Sequence, residues 1–236
     1  MKSMLIDFII PCNNPDKNWS YQLFRNIDQI SNLLDTVELN VILINDGSNS
    51  GIEDKDIKFL DTHLKQFYYL NLDQNMGKGF ALREGMKISN ADVIVYTDID
   101  FPYMISNYID FCRIILDKKA DIALGVRTPI YYTSIPLERK IISIIFNFAL
   151  KFIFKSKISD TQAGIKAFSK DLKQVFLNTK TNGYLVDFEF LYSLKNNINI
   201  RYSFNTIYIK NSTKVSKLTF SLLFQELINL FRIMLN

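Results

Sequence analysis

The chain has 236 residues, of which 48% are hydrophobic and 14% aromatic, and its formal net charge is +4. This length suits one large α/β domain, alone or with a small appendage, and the scarcity of glycine and proline excludes a disordered chain. The modest positive charge favours an anionic ligand or a membrane surface, and because it forms no basic tract we expect no nucleic-acid partner.

Cysteine content and segment lengths indicate the compartment. Cys12 and Cys112 lie far apart in the sequence, so we expect two free thiols in a reducing environment. The N-terminus enters a predicted strand almost at once, without the features of a secretory signal peptide, which favours the cytoplasm. Polar residues interrupt the apolar segments at 141–154 and 218–235, so we expect neither to span a bilayer.

Strands and helices are predicted to alternate through the first half of the chain. In order, we expect a strand at 5–10, a helix at about 20–34, a strand at 39–44, a helix at 57–64, a strand at 67–72, a helix at 79–88 and a strand at 93–97. This order predicts an α/β fold with a mostly parallel sheet flanked by helices. Ligands of such sheets bind beyond the carboxyl ends of the strands, where polar clusters occur at 11–13, 46–48, 75–79 and 98–100.

The strand at 93–97 leads directly into two carboxylates, Asp98 and Asp100. Alternate side chains of extended backbone point the same way, so both carboxylates are expected to project together at the mouth of the sheet. Converging carboxylate oxygens suit a divalent cation that holds a phosphate-rich ligand. An Asp-x-Asp pair alone is a weak signal, since most such pairs are solvated turn residues, and it depends on support from other motifs.

A glycine-rich connection, Asn75-Met76-Gly77-Lys78-Gly79, precedes the helix predicted at 79–88. Glycines at such a place let backbone N–H groups approach an anion at a helix N-terminus, and Lys78 could then reach a diphosphate. The spacing is not that of a Walker A loop, and no Gly-x-Gly-x-x-Gly follows the first strand. The motif therefore indicates neither ATP hydrolysis nor a dinucleotide cofactor.

Beyond a strand predicted at 121–124, the regular alternation breaks down. The segment 136–155 is predicted as an apolar helix with one polar stripe, which includes Arg139 and Lys151. This stripe is either the solvated edge of a buried helix or a face turned to an anionic acceptor. A strand pattern follows at 198–209, and the composition of the final segment predicts an amphipathic helix on a membrane, with packing on its own domain or on a second subunit as the alternative. The chain thus divides into a domain at 1–215 and a helix at 216–236.

Seven short motifs, in this order along the chain, resemble the inverting glycosyltransferases of family 2, which have the GT-A fold. They are Ile9-Ile10-Pro11-Cys12-Asn13, Asn45-Asp46-Gly47-Ser48, Asn75-Met76-Gly77-Lys78-Gly79, Asp98-Ile99-Asp100, Gly125-Val126-Arg127, Asp160-Thr161-Gln162-Ala163-Gly164-Ile165-Lys166 and Asp187-Phe188-Glu189. The last two are similar, more narrowly, to the polyprenyl-phosphate branch with its dolichyl-phosphate β-glucosyltransferases and dolichol-phosphate mannosyltransferases. The resemblance implies transfer of one sugar, with inversion, from a nucleotide-sugar such as UDP-glucose or GDP-mannose to a polyprenyl phosphate at the cytoplasmic face of a membrane.

The resemblance also implies roles for single residues. The nucleotide-sugar would contact Pro11, Asn13, Asp46, Lys78 and Asp98. Asp98 and Asp100 would hold Mg²⁺ or Mn²⁺ against the diphosphate. Arg127 and Arg139 match basic positions that hold the acceptor phosphate, for which a guanidinium fork is well suited. Asp160 and Asp187 are the two candidates for a catalytic base, and Glu189 would orient its neighbours.

Some residues depart from the family pattern. The common Pro-x-Tyr-Asn-Glu is Pro11-Cys12-Asn13-Asn14-Pro15 here, the usual Asp-Asp-Gly-Ser begins with Asn45, and Phe101-Pro102 stands where some mannosyl members offer a glutamine ligand. Two alternatives therefore stay open. One is a family 2 enzyme of surface-polysaccharide synthesis that glycosylates a saccharide hydroxyl, for which a carboxylate such as Asp187 must accept the proton. The other is a non-catalytic nucleotide-sugar-binding protein.

Overall fold

The structure is a computed structural model that describes residues 4–127, 163–195, 197 and 199–210. The predicted helices at 136–155 and 216–236 lie outside these residues, as do Arg139 and Asp160. Among the helices within these ranges, none has the length and apolar character needed to cross a bilayer.

Up to residue 127 the described elements alternate between strands and helices, as expected from the sequence. The strands are β1 (Met4–Cys12), β2 (Val37–Asp46), β3 (Phe67–Leu72), β4 (Val93–Thr97), β5 (Ile122–Arg127), β6 (Ile165–Ser169) and β7 (Tyr202–Ile207). The α-helices are α1 (Trp19–Leu33), α2 (Asp54–His63), α3 (Lys78–Ile88), α4 (Ile105–Leu116), α5 (Lys173–Leu177) and α6 (Val186–Leu194), with a 3₁₀ turn at Lys170–Leu172. Strand β6 is the one described strand that the sequence patterns did not predict.

The seven strands form one sheet in the order β3-β2-β1-β4-β6-β5-β7. Neighbours pair in parallel except β6, which runs antiparallel to both β4 and β5. The predicted mostly parallel sheet is therefore confirmed. Because β6 is antiparallel, its first residue lies opposite the last residue of β4, with Ile165 paired to Thr97. The segment before β6 is thereby placed beside Asp98.

Helices cover both faces of the sheet, and each face carries its own apolar core. Phe8 and Val95 pack on one face with α1, α2 and α4, whereas Ile9 and Ile94 pack on the other with α3, α5 and α6. Burial on both faces explains why the central strand β4 is continuously apolar rather than alternating. Tyr96 belongs to the second face, so the end of β4 lies against α3 and α6.

Candidate active site

The carboxyl ends of β1 and β2 bring the first predicted polar clusters together. Asn13 donates its side-chain amide to the backbone oxygen of Asp46 at 2.6 Å. The carboxylate of Asp46 is 4% exposed and accepts the N–H groups of Met76 at 2.7 Å and Gly77 at 2.9 Å. Asp46 thus fixes the loop that presents Lys78, and a direct contact between Asp46 and a nucleotide stays a prediction.

The two glycines beside Lys78 permit close packing of backbone. A Cβ atom at Gly77 would lie 2.5 Å from the carbonyl oxygen of Asn182, and one at Gly79 would lie 2.3 Å from that of Thr181. The N–H of Gly79 donates to Asn182 at 2.7 Å, and the N–H of Gly77 is held by Asp46. The protein itself therefore occupies both N–H groups, that of Gly77 with the Asp46 carboxylate and that of Gly79 with a backbone carbonyl, and neither is available to a ligand anion as predicted.

Residues 180–182, which include the neighbours of these glycines, are held by hydrogen bonds to side chains of both α6 and α3. Glu189 accepts the N–H groups of Lys180 at 2.9 Å and Thr181 at 2.7 Å. Arg83 donates to the carbonyl oxygen of Thr181 at 2.7 Å and to the side chain of Asn182. These contacts agree with the expected orienting role of Glu189, and they fix the start of α6 relative to α3.

Lys78 forms an ion pair with the first carboxylate of the Asp-x-Asp motif. Its Nζ lies 2.7 Å from Oδ1 of Asp98, and the two side chains are 13% and 42% exposed respectively. Burial opposes the charge on Lys78, but the neighbouring carboxylates of Asp98 and Asp187 outweigh that cost and raise the pKa of its ammonium. A fixed positive charge therefore stands beside the predicted metal pair.

Asp98 and Asp100 have the ligand chemistry that Mg²⁺ and Mn²⁺ prefer, since both offer carboxylate oxygens. The protein atoms around Asp100, followed by the negative charge of Asp98, raise the pKa of Asp100 to about 6. A cation would relieve this repulsion. No group of three or more His, Cys, Asp or Glu suited to a metal occurs in the part of the chain that the structure describes. The pair thus fits a cation whose remaining ligands come from a diphosphate and water.

Gly164 makes room for the Asp98 carboxylate. A Cβ atom at Gly164 would lie only 2.3 Å from Oδ2 of Asp98. The N–H of Gly164 donates to the hydroxyl of Tyr103 at 2.7 Å, which fixes the glycine at this place. Gly164, just before β6, therefore contributes to the site because its lack of a side chain leaves space for the Asp98 carboxylate.

We expect Gly164→Ala to displace Asp98 and to weaken Mn²⁺ binding about tenfold or more, a loss of about 1.4 kcal/mol. Electron paramagnetic resonance of free Mn²⁺ measures this affinity. The matched control is Gly85→Ala, whose Cβ would crowd methyl groups of Ile44 and Ile9 at 2.6 Å within the core. This control should lower stability and leave Mn²⁺ binding unchanged. Equal Mn²⁺ affinities in folded Gly164→Ala and wild type would contradict the account.

Asp187 lies in a buried polar cluster that the sequence patterns missed. Its carboxylate is 4% exposed, and its Oδ1 lies 3.0 Å from Nζ of Lys166, which is 1% exposed. Tyr96, fully buried, donates its hydroxyl to the same oxygen. Burial, together with the nearby carboxylate, raises the pKa of Tyr96, so its hydroxyl stays a donor. A lysine within an otherwise apolar strand was the one signal of this pair available in the sequence.

The other predicted residues reach the same edge of the sheet. Pro11 is half-buried near the end of β1, and Arg127 is half-buried at the end of β5, where its charge acts on Tyr103. Because β5 and β4 are both antiparallel to β6, they run in the same direction and end at the same edge. The structure therefore brings Pro11, Asn13, Asp46, Lys78, Asp98, Asp100, Arg127 and Asp187 to one region.

Solved structures with a similar arrangement of strands and helices include two synthases of glycosylated 3-phosphoglycerate. Glucosyl-3-phosphoglycerate synthase of Mycobacterium tuberculosis, solved with Mn²⁺, UDP and glucosyl-3-phosphoglycerate, has a TM-score of 0.65 at 14% identity, covering 98% of this chain and 80% of that one. Mannosyl-3-phosphoglycerate synthase of Rubrobacter xylanophilus also has a TM-score of 0.65, at 13% identity, covering 98% of this chain and 72% of that one. These likenesses establish the GT-A fold that the motifs implied.

Relatives found by sequence carry names from the polyprenyl-phosphate branch. A dolichyl-phosphate β-glucosyltransferase of Trichomonas vaginalis is 24% identical over 79% of this chain and 60% of its own length. Its counterpart in Saccharomyces cerevisiae is 27% identical over 64% of this chain and 51% of its own length. A UDP-N-acetylglucosamine–dolichyl-phosphate N-acetylglucosaminyltransferase of Methanococcus voltae is 26% identical over 74% of this chain and 73% of its own length. The chain thus spans less than two thirds of the first two relatives.

The family model described as glycosyl transferase family 2 matches residues 8–176, which include the ends of β1, β2 and β4 and the Asp98–Asp100 pair. This match covers well over half of the chain and agrees with the resemblance that the ordered motifs carry. The chain therefore belongs to glycosyl transferase family 2.

Proposed function

We propose that this protein transfers one sugar, with inversion, from a nucleotide-sugar to a polyprenyl phosphate. The observation that carries the proposal is the grouping of Lys78, Asp98 and Asp100 at one sheet edge, with Arg127 at the same edge, in a family 2 chain. The names of the sequence relatives, which are dolichyl-phosphate glycosyltransferases, support the lipid acceptor.

On the donor side, the charges of the site match the leaving group. Displacement at the anomeric carbon leaves negative charge on the departing nucleotide diphosphate. Asp98 and Asp100 would hold Mg²⁺ or Mn²⁺, which when bound supplies a Lewis acid for the phosphate oxygens. Lys78 would stabilise the same charge from the α3 side, while Pro11, Asn13 and Asp46 would form the nucleoside end of the site.

On the acceptor side, a phosphate needs positioning more than it needs a base. The second pKa of a phosphate monoester is about 6, so its oxygen is largely ionised near neutral pH and can attack without losing a proton. Arg127, together with Arg139, would hold this phosphate through guanidinium forks. Asp160 and Asp187 would act as base only for a hydroxyl acceptor, and the buried position of Asp187 beside Lys166 does not favour that use.

The lipid acceptor also implies where the protein works. A polyprenyl chain stays in the bilayer, so the transferase would act at a membrane surface, with the segment 216–236 as its predicted amphipathic contact. Its two free cysteines favour the cytoplasmic face of that membrane.

The donor is identified by turnover of UDP-glucose, UDP-galactose, UDP-N-acetylglucosamine and GDP-mannose against a short polyprenyl phosphate, with Mg²⁺ or Mn²⁺. We expect one donor to give a product that extracts into organic solvent, that mild acid releases, and that Asp100→Ala abolishes. Metal-dependent binding of a nucleotide-sugar without turnover on any acceptor would favour the non-catalytic binding protein instead.

A further inference from the structure

A buried ion pair lies behind Lys78, on the same face of the sheet. Lys166 and Asp187 are 1% and 4% exposed, and their charged atoms are 3.0 Å apart. Lys166 also donates to the carbonyl oxygen of Ala163 at 3.0 Å, and its Nζ lies 5.4 Å from the centre of the Tyr96 ring. Oδ1 of Asp187 therefore forms an ion pair with the ammonium and accepts the tyrosine hydroxyl.

Asp187 acts on Lys78 through its charge. The residues next to Lys78 and Asp187 are in contact, since a Cβ atom at Gly79 would lie 2.9 Å from Cβ of Val186. Lys78 is thereby within the electrostatic reach of Asp187, and it contacts Asp98 directly at 2.7 Å. Each carboxylate attracts the same ammonium, and a diphosphate in the site would compete with both. A carboxylate whose charge is offset by a buried lysine attracts a second lysine less strongly.

We propose that Lys166 is a positioning residue for the donor diphosphate, because it offsets the charge of Asp187 and so leaves the ammonium of Lys78 available to the phosphate groups. The inference rests on the proposed function, in which Lys78 contacts the diphosphate. Without Lys166, Asp187 would hold Lys78 back and would itself repel the diphosphate. Both effects weaken nucleotide binding, so we expect loss of Lys166 to lower the nucleotide affinity.

The test is calorimetric binding of UDP and GDP to the full chain with Mn²⁺, in wild type, Lys166→Met, Asp187→Asn and the double variant. We expect Lys166→Met to weaken binding of the preferred nucleotide about tenfold. The double variant should bind within about twofold of Asp187→Asn alone, because the Asp187 carboxylate is then absent from both proteins and Lys166 has no charge left to offset. All four proteins are first shown by circular dichroism to be folded, because Asp187→Asn should also restore stability to Lys166→Met. A loss of affinity in folded Lys166→Met that the second substitution does not reverse would contradict the inference.

Tyr96→Phe keeps the inference testable if Lys166→Met does not fold. This change removes only the hydroxyl on Asp187, and we expect it to weaken nucleotide binding about threefold. The matched control is Tyr108→Phe, since Tyr108 is also fully buried and its hydroxyl pairs with Thr97 at 3.1 Å on the other face of β4. The control should bind as wild type does.

The outcomes separate the inference from the function on which it rests. Wild type that binds neither UDP nor GDP with Mn²⁺ contradicts the proposed function, and the inference with it. Wild type that binds a nucleotide, with unchanged affinity in folded Lys166→Met or with equal effects of Tyr96→Phe and Tyr108→Phe, contradicts the inference alone.

Discussion

Asp98→Asn is expected to lower the kcat/KM of sugar transfer about a hundredfold or more. The substitution keeps the size of the side chain and removes the charge that would bind the metal ion and that pairs with Lys78 at 2.7 Å. Initial rates with the identified donor and a polyprenyl phosphate measure the loss. Mn²⁺ titration of the same variant tells whether metal affinity falls with it, as the account requires.

The control for this variant lies at the opposite end of the same strand. Asp92 precedes β4 and pairs with Lys170 at 3.0 Å, away from the edge that carries the site. Asp92→Asn should keep transfer near the wild-type rate. An Asp98→Asn protein as active as Asp92→Asn would show that Asp98 has no part in the chemistry.

Lys166→Met is expected to lower the free energy of unfolding by about 3–5 kcal/mol. Methionine fills a similar volume, but it leaves the Asp187 carboxylate buried without its cation, and a buried unpaired charge is strongly destabilising. This is a large share of the stability of an ordinary domain, which is about 5–15 kcal/mol. Urea denaturation followed by tryptophan fluorescence measures the change.

Two further variants test whether the burial of the charge causes this loss of stability. Lys170→Met removes a lysine with a 61% exposed side chain just after the same strand, and its pair with Asp92 should contribute less than about 1 kcal/mol. Adding Asp187→Asn to Lys166→Met removes the orphaned charge and should recover a large part of the loss. Similar losses in Lys166→Met and Lys170→Met would mean that the Lys166–Asp187 pair is solvated.

The fold was largely predictable because its signals are local. Short apolar runs separated by helical patterns gave the strands of the first half, and Asp98 was found as a site residue because it directly follows one of them. Strand β6 was missed because it returns antiparallel between β4 and β5 from a distant part of the chain, and pairing of this kind leaves no local signature.

The sequence predicts a site residue when that residue belongs to a short motif. It does not predict contacts between segments that are far apart in the chain. The local pattern around Gly77 and Gly79 predicts an anion site. The residues that these glycines contact, Thr181 and Asn182, come about a hundred residues later in the chain, so the local pattern does not reveal the contact. In the sequence Tyr96 looks like an ordinary core residue of β4. Its hydroxyl finds a hydrogen-bond acceptor only because α6 brings the Asp187 carboxylate next to it. Local pattern carries no information on such a contact.

The most direct test of the proposed function compares two acceptors of equal chain length, a polyprenyl phosphate and the corresponding polyprenol, in the same detergent with the identified donor. We predict transfer to the phosphate alone, because Arg127 and the predicted Arg139 suit an ionised phosphate, and because Asp187, one of the two candidate bases, is buried and ion-paired. Equal transfer to the polyprenol, or transfer to a saccharide hydroxyl with none to the phosphate, would contradict it.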